Sequence, residues 1–463
     1  MSREVTGRDV KYAIERAFTA NVAGPYVYAS FGDLLGAPGR PGRYREVPGI
    51  ETPDEHTIVF RLTRATGAAL AGALALPITI PVPAEYARRF DAERPSEYGT
   101  HQVFTGPYKI DSNSDGELTG YEPGRTIRIV RNPDYADVGD FRPAFADGYD
   151  IRAGYSEAGI ASRRILLGTR LIGGDLGPPP TVLKRALETA RAQISAVSAG
   201  GWRAITFDTS RPPFDDIDLR RAVIAGFDRL ALRTQLGGPA LGAMAQHYIA
   251  PGVPGFEESG GARGFEGFDW MRNPRGDRDL SARFFRAAGF ASGRYEGDET
   301  VLLVGSTPDP ERNVAELAEQ QLQHMGFRTK LRLVSQDTML TKFCSVSGSE
   351  VHVCPNAAWA RDFPDPQTML DPTFNGAHIR ATNNSNWAEL DDPGVNRAIE
   401  RAKLVNEPRE RARAWANVNR RVVELAPAVP YVWSYIPAIS SADVRGVQND
   451  YTGAWDLSFT SVR

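Results

Sequence analysis

The sequence predicts an α/β fold of more than one domain, and three observations lead to this prediction. The chain has 463 residues, more than one hydrophobic core usually serves, so two or three domains are expected. Residues 300–305 and 328–334 have the pattern of strands, and residues 312–325 have the pattern of a helix that Gly326 ends. A strand–helix–strand unit of this kind implies a parallel sheet with a right-handed crossover.

The bulk composition excludes two classes of function. Hydrophobic residues make up 41% of the chain and charged residues 24%, and the net charge is -3. A surface that binds nucleic acid normally carries a basic excess, so no nucleic-acid partner is expected. The longest apolar run, residues 68–83, is interrupted by Gly72, Pro77 and Pro81 and is too short to span a bilayer. Residues 1–6 contain no apolar stretch, so no signal peptide is read in this chain.

The first half of the chain predicts short elements. Thr6 and Asp9 have a spacing similar to a capping box, and apolar residues then recur at helical spacing at Val10, Ala13, Ile14 and Phe18. Residues 56–62, 105–110 and 125–130 have the pattern of strands. Residues 148–194 are interpreted as a strand, a helix, a glycine- and proline-rich break at 173–180 and a second helix over 181–190.

The second half predicts longer elements. A strand over 202–207 is followed by a loop and a helix over 217–232. Residues 251–280 are rich in glycine, proline and arginine and are interpreted as an exposed connection. A helix over 407–425 is stopped by Pro427, and a strand over 429–433 and a strand-like tail complete the chain.

The stretch from Val351 to Trp387 contains the candidate site. A short apolar run leads to Trp359, and Asp362 and Asp365 then follow among the prolines Pro364 and Pro366. Because proline stops both helices and strand ladders, the two carboxylates are expected on a rigid loop at the end of a strand. Ligands bind at such ends in open α/β sheets. An ordinary acidic turn that meets only water is the alternative reading of the same residues.

Cys344 and Cys354 are the only cysteines, and they bracket Ser347-Gly-Ser349. A disulfide between them would close a short loop next to the candidate site, and an even pair suits an exported protein. Two free buried thiols are the alternative.

Other chemistries find little support in the sequence. The six histidines show no paired helical spacing, so neither a protein metal site nor a cofactor is expected. His352 and His378 flank the candidate loop and leave room for a metal-chelate ligand. The glycine-rich residues 36–42 lack a following Lys-Ser/Thr and are interpreted as a surface loop. No catalytic residue is assigned, and an enzyme is not expected.

Several motifs in order along the chain carry a family resemblance. They are Thr6 to Arg16, Asp54 to Leu62, Thr105-Gly-Pro-Tyr108, Arg131-Asn-Pro-Asp-Tyr135, Pro212-Pro-Phe214 with Asp228-Arg229, Trp359-x-x-Asp362 with Asp365-Pro366, and Asn383 to Asn386. Together they resemble the family 5 solute-binding proteins of ABC transporters, the group with the dipeptide and oligopeptide receptors. Phe104 stands where that family usually has glycine, and Asp208 where it usually has asparagine.

The resemblance implies a two-lobed, periplasmic-binding-protein type II (Venus flytrap) α/β architecture with an additional small α/β subdomain. It further implies that the chain is N-terminally truncated, lacking a signal and the first strands of lobe I. The expected domains are residues 1–102 as the remnant of the small subdomain, 103–196 as lobe I, 197–427 as lobe II and 428–463 as a return to lobe I. Missing strands would leave backbone groups unpaired, so lobe I is expected to be marginally stable.

The resemblance also implies roles for particular residues. Asp362 falls where the family holds the amino group of its ligand. Trp359 and Trp387 are expected as walls of the cleft, with core packing as the alternative. Asn384 and Asn386 would reach the backbone of a ligand, or instead cap the loop before a helix at Asp392.

The implied function is that of the extracytoplasmic substrate-binding component of an ABC import system. Two lobes would close over a peptide or similar small polar solute and deliver it to the membrane permease subunits, with the receptor acting as a monomer. The alternatives are a ligand-sensing module of a larger regulator or fusion, a receptor for a metal chelate, an opine or an oligosaccharide, and a degenerate fragment that binds nothing.

Overall fold

A computed structural model of the chain describes every residue except 1–2, 23, 25–26, 137–138, 156 and 175–176. The helices are α1 Gly7–Ala17, α2 Val27–Phe31, α3 Gly67–Ala73, α4 Ala84–Asp91, α5 Ala158–Leu167, α6 Pro180–Thr189, α7 Ile217–Gly226, α8 Arg229–Leu236, α9 Arg278–Ala287, α10 Glu311–His324, α11 Gln336–Met339, α12 Gln367–Phe374, α13 Pro393–Lys403 and α14 Pro408–Leu425. The strands are β1 Ile50–Glu51, β2 Val59–Phe60, β3 Tyr108–Ile110, β4 Tyr121–Glu122, β5 Thr126–Arg131, β6 Gly148–Arg152, β7 Ile194–Phe207, β8 Gly242–Ala243, β9 Thr300–Ser306, β10 Arg328–Val334, β11 Val353–Ala360, β12 Ala428–Ile439, β13 Val444–Gln448 and β14 Trp455–Val462.

The chain forms two compact units. Residues 1–172, 440–447 and 455–463 form the first unit, and residues 173–439 and 448–454 form the second. The second unit begins at residue 173, before the lobe boundary expected at residue 196. The finer division expected from the sequence stays a prediction.

The first unit is built from short strands and helices. β5 pairs antiparallel with β3, β4 and β6, while β1 pairs with β2 and β13 with β14. The predicted first helix is confirmed as α1, and the Thr6 backbone N–H donates a 2.8 Å hydrogen bond to Asp9 Oδ2. Such a bond satisfies one of the donors that a helix start leaves free.

The second unit is organised around a six-stranded mixed sheet in the order β10-β9-β11-β7-β12-β8. β9 and β10 pair in parallel on either side of α10 in the chain, which confirms the predicted strand–helix–strand unit. β11 runs parallel to β9 and antiparallel to β7. Trp202, Trp415, Trp433 and Tyr431 are fully buried in the core against this sheet.

Two predictions for the second unit are wrong. The single helix expected over 217–232 is two helices, because Phe227 has extended backbone and the Asp228 side chain accepts from Ala231 N to begin α8. The exposed connection expected over 251–280 contributes Val253, Phe256 and Trp270 to the core. Among the described residues, no helix is both long and apolar enough to cross a membrane.

Candidate functional site

The candidate loop lies between β11 and α12, as the sequence predicts. β11 ends at Ala360 and α12 begins at Gln367. Two glycines of β7 allow this strand to lie close to the end of β11 and to the loop that follows it. Gly200 has φ +59° and a Cβ there would lie 2.5 Å from Arg361 Nε, while a Cβ on Gly201 would lie 2.6 Å from the Trp359 carbonyl oxygen. Only glycine fits such positions without displacing the loop.

Asp365 fixes the loop and is not free for a ligand. Its carboxylate forms two hydrogen bonds with Arg411, of 2.6 Å from Nε and 2.9 Å from Nη2, and both side chains are buried. Its Oδ1 also accepts from Gln367 N at 2.8 Å, at the start of α12. A bidentate, charge-assisted pair of this kind is among the stronger polar contacts in proteins. These contacts make Asp365 part of the turn that leads into α12.

Asp362 is held by its backbone, and its carboxylate is left unpaired. The Asp362 N–H donates to Thr368 Oγ1 at 3.3 Å, and its carbonyl oxygen accepts from the Tyr451 hydroxyl. In the described part of the chain, no side chain forms a hydrogen bond or an ion pair with the carboxylate of Asp362. Burial raises the pKa of Asp362 from 3.8 to about 6. A half-buried carboxylate without a partner is the group that a ligand cation would neutralise.

Trp359 and Trp387 lie together beside this loop. Their rings are half-buried and meet edge to face, with centroids 5.9 Å apart. Trp359 Nε1 donates to the Thr368 carbonyl oxygen at 2.6 Å, so Thr368 binds both Trp359 and Asp362. Trp387 also packs against the buried ring of Trp202, at 6.4 Å. Both tryptophans thus contact the core and keep part of their surface free.

Asn384 and Asn386 are fully buried, and their amides are used within their own segment. Asn384 Nδ2 donates to Glu389 Oε1 at 2.6 Å and to the Asn386 carbonyl oxygen at 3.1 Å. Asn386 accepts from Leu390 N at 3.1 Å and donates to the Leu390 carbonyl oxygen at 2.9 Å. These bonds fit the alternative reading, a self-capped loop that leads to α13, which the Asp392 side chain caps.

The structure joins Cys344 and Cys354 in a disulfide, with Cα atoms 6.0 Å apart. Both cysteines are buried against Val304, Met339 and Val351. Cys354 lies on β11, and Asp362 follows it by eight residues in the loop after this strand. The alternative of two free thiols is therefore not what the structure contains.

Reasoning from the sequence missed Thr368, Arg361 and Tyr451. Arg361 Nη2 donates to the Asp450 carbonyl oxygen at 3.0 Å, and its guanidinium lies 5.3 Å from the centre of the Tyr451 ring. Thr368 was detectable, because a threonine shortly after Asp-Pro is a common turn and helix-start residue. Tyr451 had no local signal, since 89 residues separate it from Asp362.

The two histidines that flank the loop are engaged with acids. His352 Nε2 lies 3.4 Å from Glu299 Oε1, and His378 Nε2 lies 3.1 Å from Asp371 Oδ1. Within the residues that the structure describes, no group of three or more His, Cys, Asp or Glu side chains could hold a metal ion. What the described residues of this loop offer a ligand is the anionic position of Asp362 beside the paired rings of Trp359 and Trp387.

Residues 3–380 match the bacterial extracellular solute-binding proteins, family 5, and the chain belongs to that family. Its members are solute-binding receptors rather than enzymes, and they act outside the cytoplasm. The chain has the two-lobed α/β architecture of the family.

Similar proteins are found among curated sequences and solved structures. The di/tripeptide-binding protein 2 of Pseudomonas aeruginosa is 24% identical over 414 residues, which cover 88% of this chain and 70% of that protein. The clavulanic acid biosynthesis oligopeptide binding protein 2 is 25% identical, with a TM-score of 0.83 over 99% of this chain and 81% of that one. A dipeptide-binding protein from Pseudoalteromonas sp. SM9913, solved with Met-Leu, has the same fold, with 19% identity and a TM-score of 0.74 over 100% of this chain and 84% of that one.

Proposed function

We propose that this protein captures peptides, or similar small polar solutes with a free amino group, for an ABC import system. The unpaired, half-buried carboxylate of Asp362 carries the proposal. A ligand ammonium would restore the charge balance that burial disturbs there, and charge-assisted hydrogen bonds are shorter and stronger than neutral ones. The family, and the peptides named for its relatives, support this class of ligand.

The aromatic pair gives the site a second feature. A ligand cation beside Asp362 would lie near the half-buried rings of Trp359 and Trp387, and ring faces attract cations. The apolar parts of the rings would bury the ligand's side chains or backbone methylenes. Asp362 would thus select for positive charge, while the tryptophans would contribute affinity with little chemical selectivity.

The proposed partners follow from the family of solute-binding proteins to which the chain belongs. The loaded receptor would deliver its solute to the membrane permease subunits of the importer, on the outer side of the membrane. We propose that the protein works there because its family is extracellular.

Native mass spectrometry followed by calorimetry with a panel of di- to pentapeptides tests the proposal. Wild type should bind at least one peptide with a free amino terminus, and N-acetylation of that peptide should remove binding. Asp362→Asn should weaken binding about 10- to 100-fold, the loss expected for one charge-assisted hydrogen bond.

Asp279→Asn is the matched control, because it removes one exposed carboxylate on α9 and should leave affinity unchanged. Equal affinity of wild type and Asp362→Asn would overturn the role of Asp362. A wild type that ignores every peptide but binds a chelate, an opine or an oligosaccharide would replace the peptide proposal with a non-peptide receptor.

A further inference from the structure

The disulfide closes a loop whose serines hold the segment that carries Trp387. Cys344 and Cys354 are 10 residues apart in sequence, and Ser345 follows the first of them directly. Ser345 Oγ accepts from Trp387 Nε1 at 2.9 Å, and the Ser345 carbonyl oxygen accepts from Asn384 N at 3.0 Å. One residue of the loop therefore fixes both the indole and the backbone of the facing segment.

A second serine of the loop strengthens this attachment. Ser347 Oγ donates to Glu389 Oε2 at 2.8 Å, while Asn384 donates to the other oxygen of the same carboxylate. Glu389 has φ +48°, a left-handed conformation that non-glycine residues seldom adopt without such support. The segment 384–389 is thus held at both ends by the disulfide-closed loop.

Trp387 connects the disulfide-closed loop to the ligand site through direct contacts. Its ring packs on one side against the cluster around the disulfide, which includes Val304, Met339 and Val351. On another side it meets Trp359, which is bound through Thr368 to the Asp362 backbone. The contacts form an unbroken path from the disulfide to the candidate cation site, with every step in the second unit.

We propose that Ser345, held in place by the Cys344–Cys354 disulfide, is a positioning residue that sets the Trp387 ring as one wall of the ligand site. Without the hydrogen bond, the indole of Trp387 can rotate about its side-chain torsions and loses its fixed angle to Trp359. A preorganised wall costs a ligand less ordering than a mobile one. The ligand part of this proposal rests on the proposed function of Asp362.

The indole N–H resonance of Trp387 in a ¹H–¹⁵N spectrum tests the proposal without any ligand, and it is assigned by its loss in Trp387→Phe. Ser345→Ala and the double variant Cys344→Ala/Cys354→Ala should both shift this resonance and speed its exchange with water. Ser349→Ala is the matched control, because Ser349 Oγ lies in the same loop but donates only to the Phe343 carbonyl oxygen, at 3.1 Å. It should leave the resonance unchanged.

Calorimetry with the tightest peptide of the panel gives the second readout. Ser345→Ala should weaken binding about two- to tenfold, the loss expected for one neutral hydrogen bond, and Ser349→Ala should not. An unchanged indole resonance and unchanged affinity in both Ser345→Ala and the cysteine-free variant would overturn the proposal and leave the disulfide a purely stabilising link. If wild type binds no peptide, the proposed function and the ligand role of Trp387 fall together, while the resonance still decides whether Ser345 positions the ring.

Discussion

At the scale of single residues, Asp362 couples ligand binding to stability. Its pKa is raised by burial to about 6 in the folded chain, against 3.8 in the unfolded one. The folded state therefore holds this proton more tightly, so the stabilising contribution of Asp362 is fully present below pH 4 and is lost as the pH rises from 4 to 6. Because the carboxylate is partly exposed, we expect Asp362→Asn to raise the free energy of unfolding by only about 1–2 kcal/mol above pH 7.

Urea unfolding of wild type and Asp362→Asn at pH 4 and pH 8 measures this effect. The two curves should coincide near pH 4 and separate by pH 8, with the variant more stable. Wild-type affinity for a cationic ligand should fall as the pH drops through 6, since Asp362 then becomes neutral. A variant that is less stable than wild type at pH 8 would contradict the unpaired state of the carboxylate.

Arg411 illustrates the opposite case, a buried charge that is fully paired. Arg411→Leu leaves the Asp365 carboxylate buried without its two hydrogen bonds, and removing one partner of such a pair typically costs about 3–5 kcal/mol. Chemical denaturation should show this loss. Arg413→Leu, an exposed position two residues further along α14, is the control and should change stability little. The double variant Asp365→Leu/Arg411→Leu should recover part of the loss, and full additivity of the single variants would argue against the pair.

At the scale of elements, the break between α7 and α8 depends on one cap. The Asp228 side chain accepts from Ala231 N at 2.8 Å, and its backbone N–H donates to Gln321 Oε1 at 2.6 Å. Asp228→Ala keeps the second bond and loses the first, so we expect a loss of about 1 kcal/mol in thermal or urea unfolding. Asp279→Ala, an exposed residue of α9 without a capping role, should cost less, and equal effects would show that the cap does not matter.

The elements also show what the sequence could and could not predict. Pro364, Pro366 and the apolar run before Trp359 were sufficient to place Asp362 on a loop after a strand, because proline acts locally. The sequence pattern of 217–232 did not reveal the helix break, because apolar residues continue at helical spacing through Phe227. The Asp228 side chain caps only the helix that follows, α8. Tyr451 and Ser345 escaped prediction because their contacts with the site join positions far apart in the chain.

At the scale of the whole molecule, the two compact units differ in how well they cover their apolar side chains. Sixteen large hydrophobic residues are exposed in the described part of the chain. Only Leu404 and Ile436 of these belong to the second unit, and the most exposed, Phe141 and Leu167, belong to the first. The longest strand of the first unit, β14, has 8 residues, whereas β7 and β12 of the second unit have 14 and 12.

We therefore expect the first unit to open at a lower free energy than the second. Local opening is easiest where few apolar contacts must break and many backbone hydrogen bonds are near solvent. In native-state hydrogen exchange, amides of β7 and β12 should exchange most slowly, and those of β1, β2, β4 and β6 much faster. Rising urea should expose the first unit while the central sheet stays protected. Equal protection of both units, lost in one cooperative step, would contradict this expectation and would mean that the exposed apolar residues cost the first unit little.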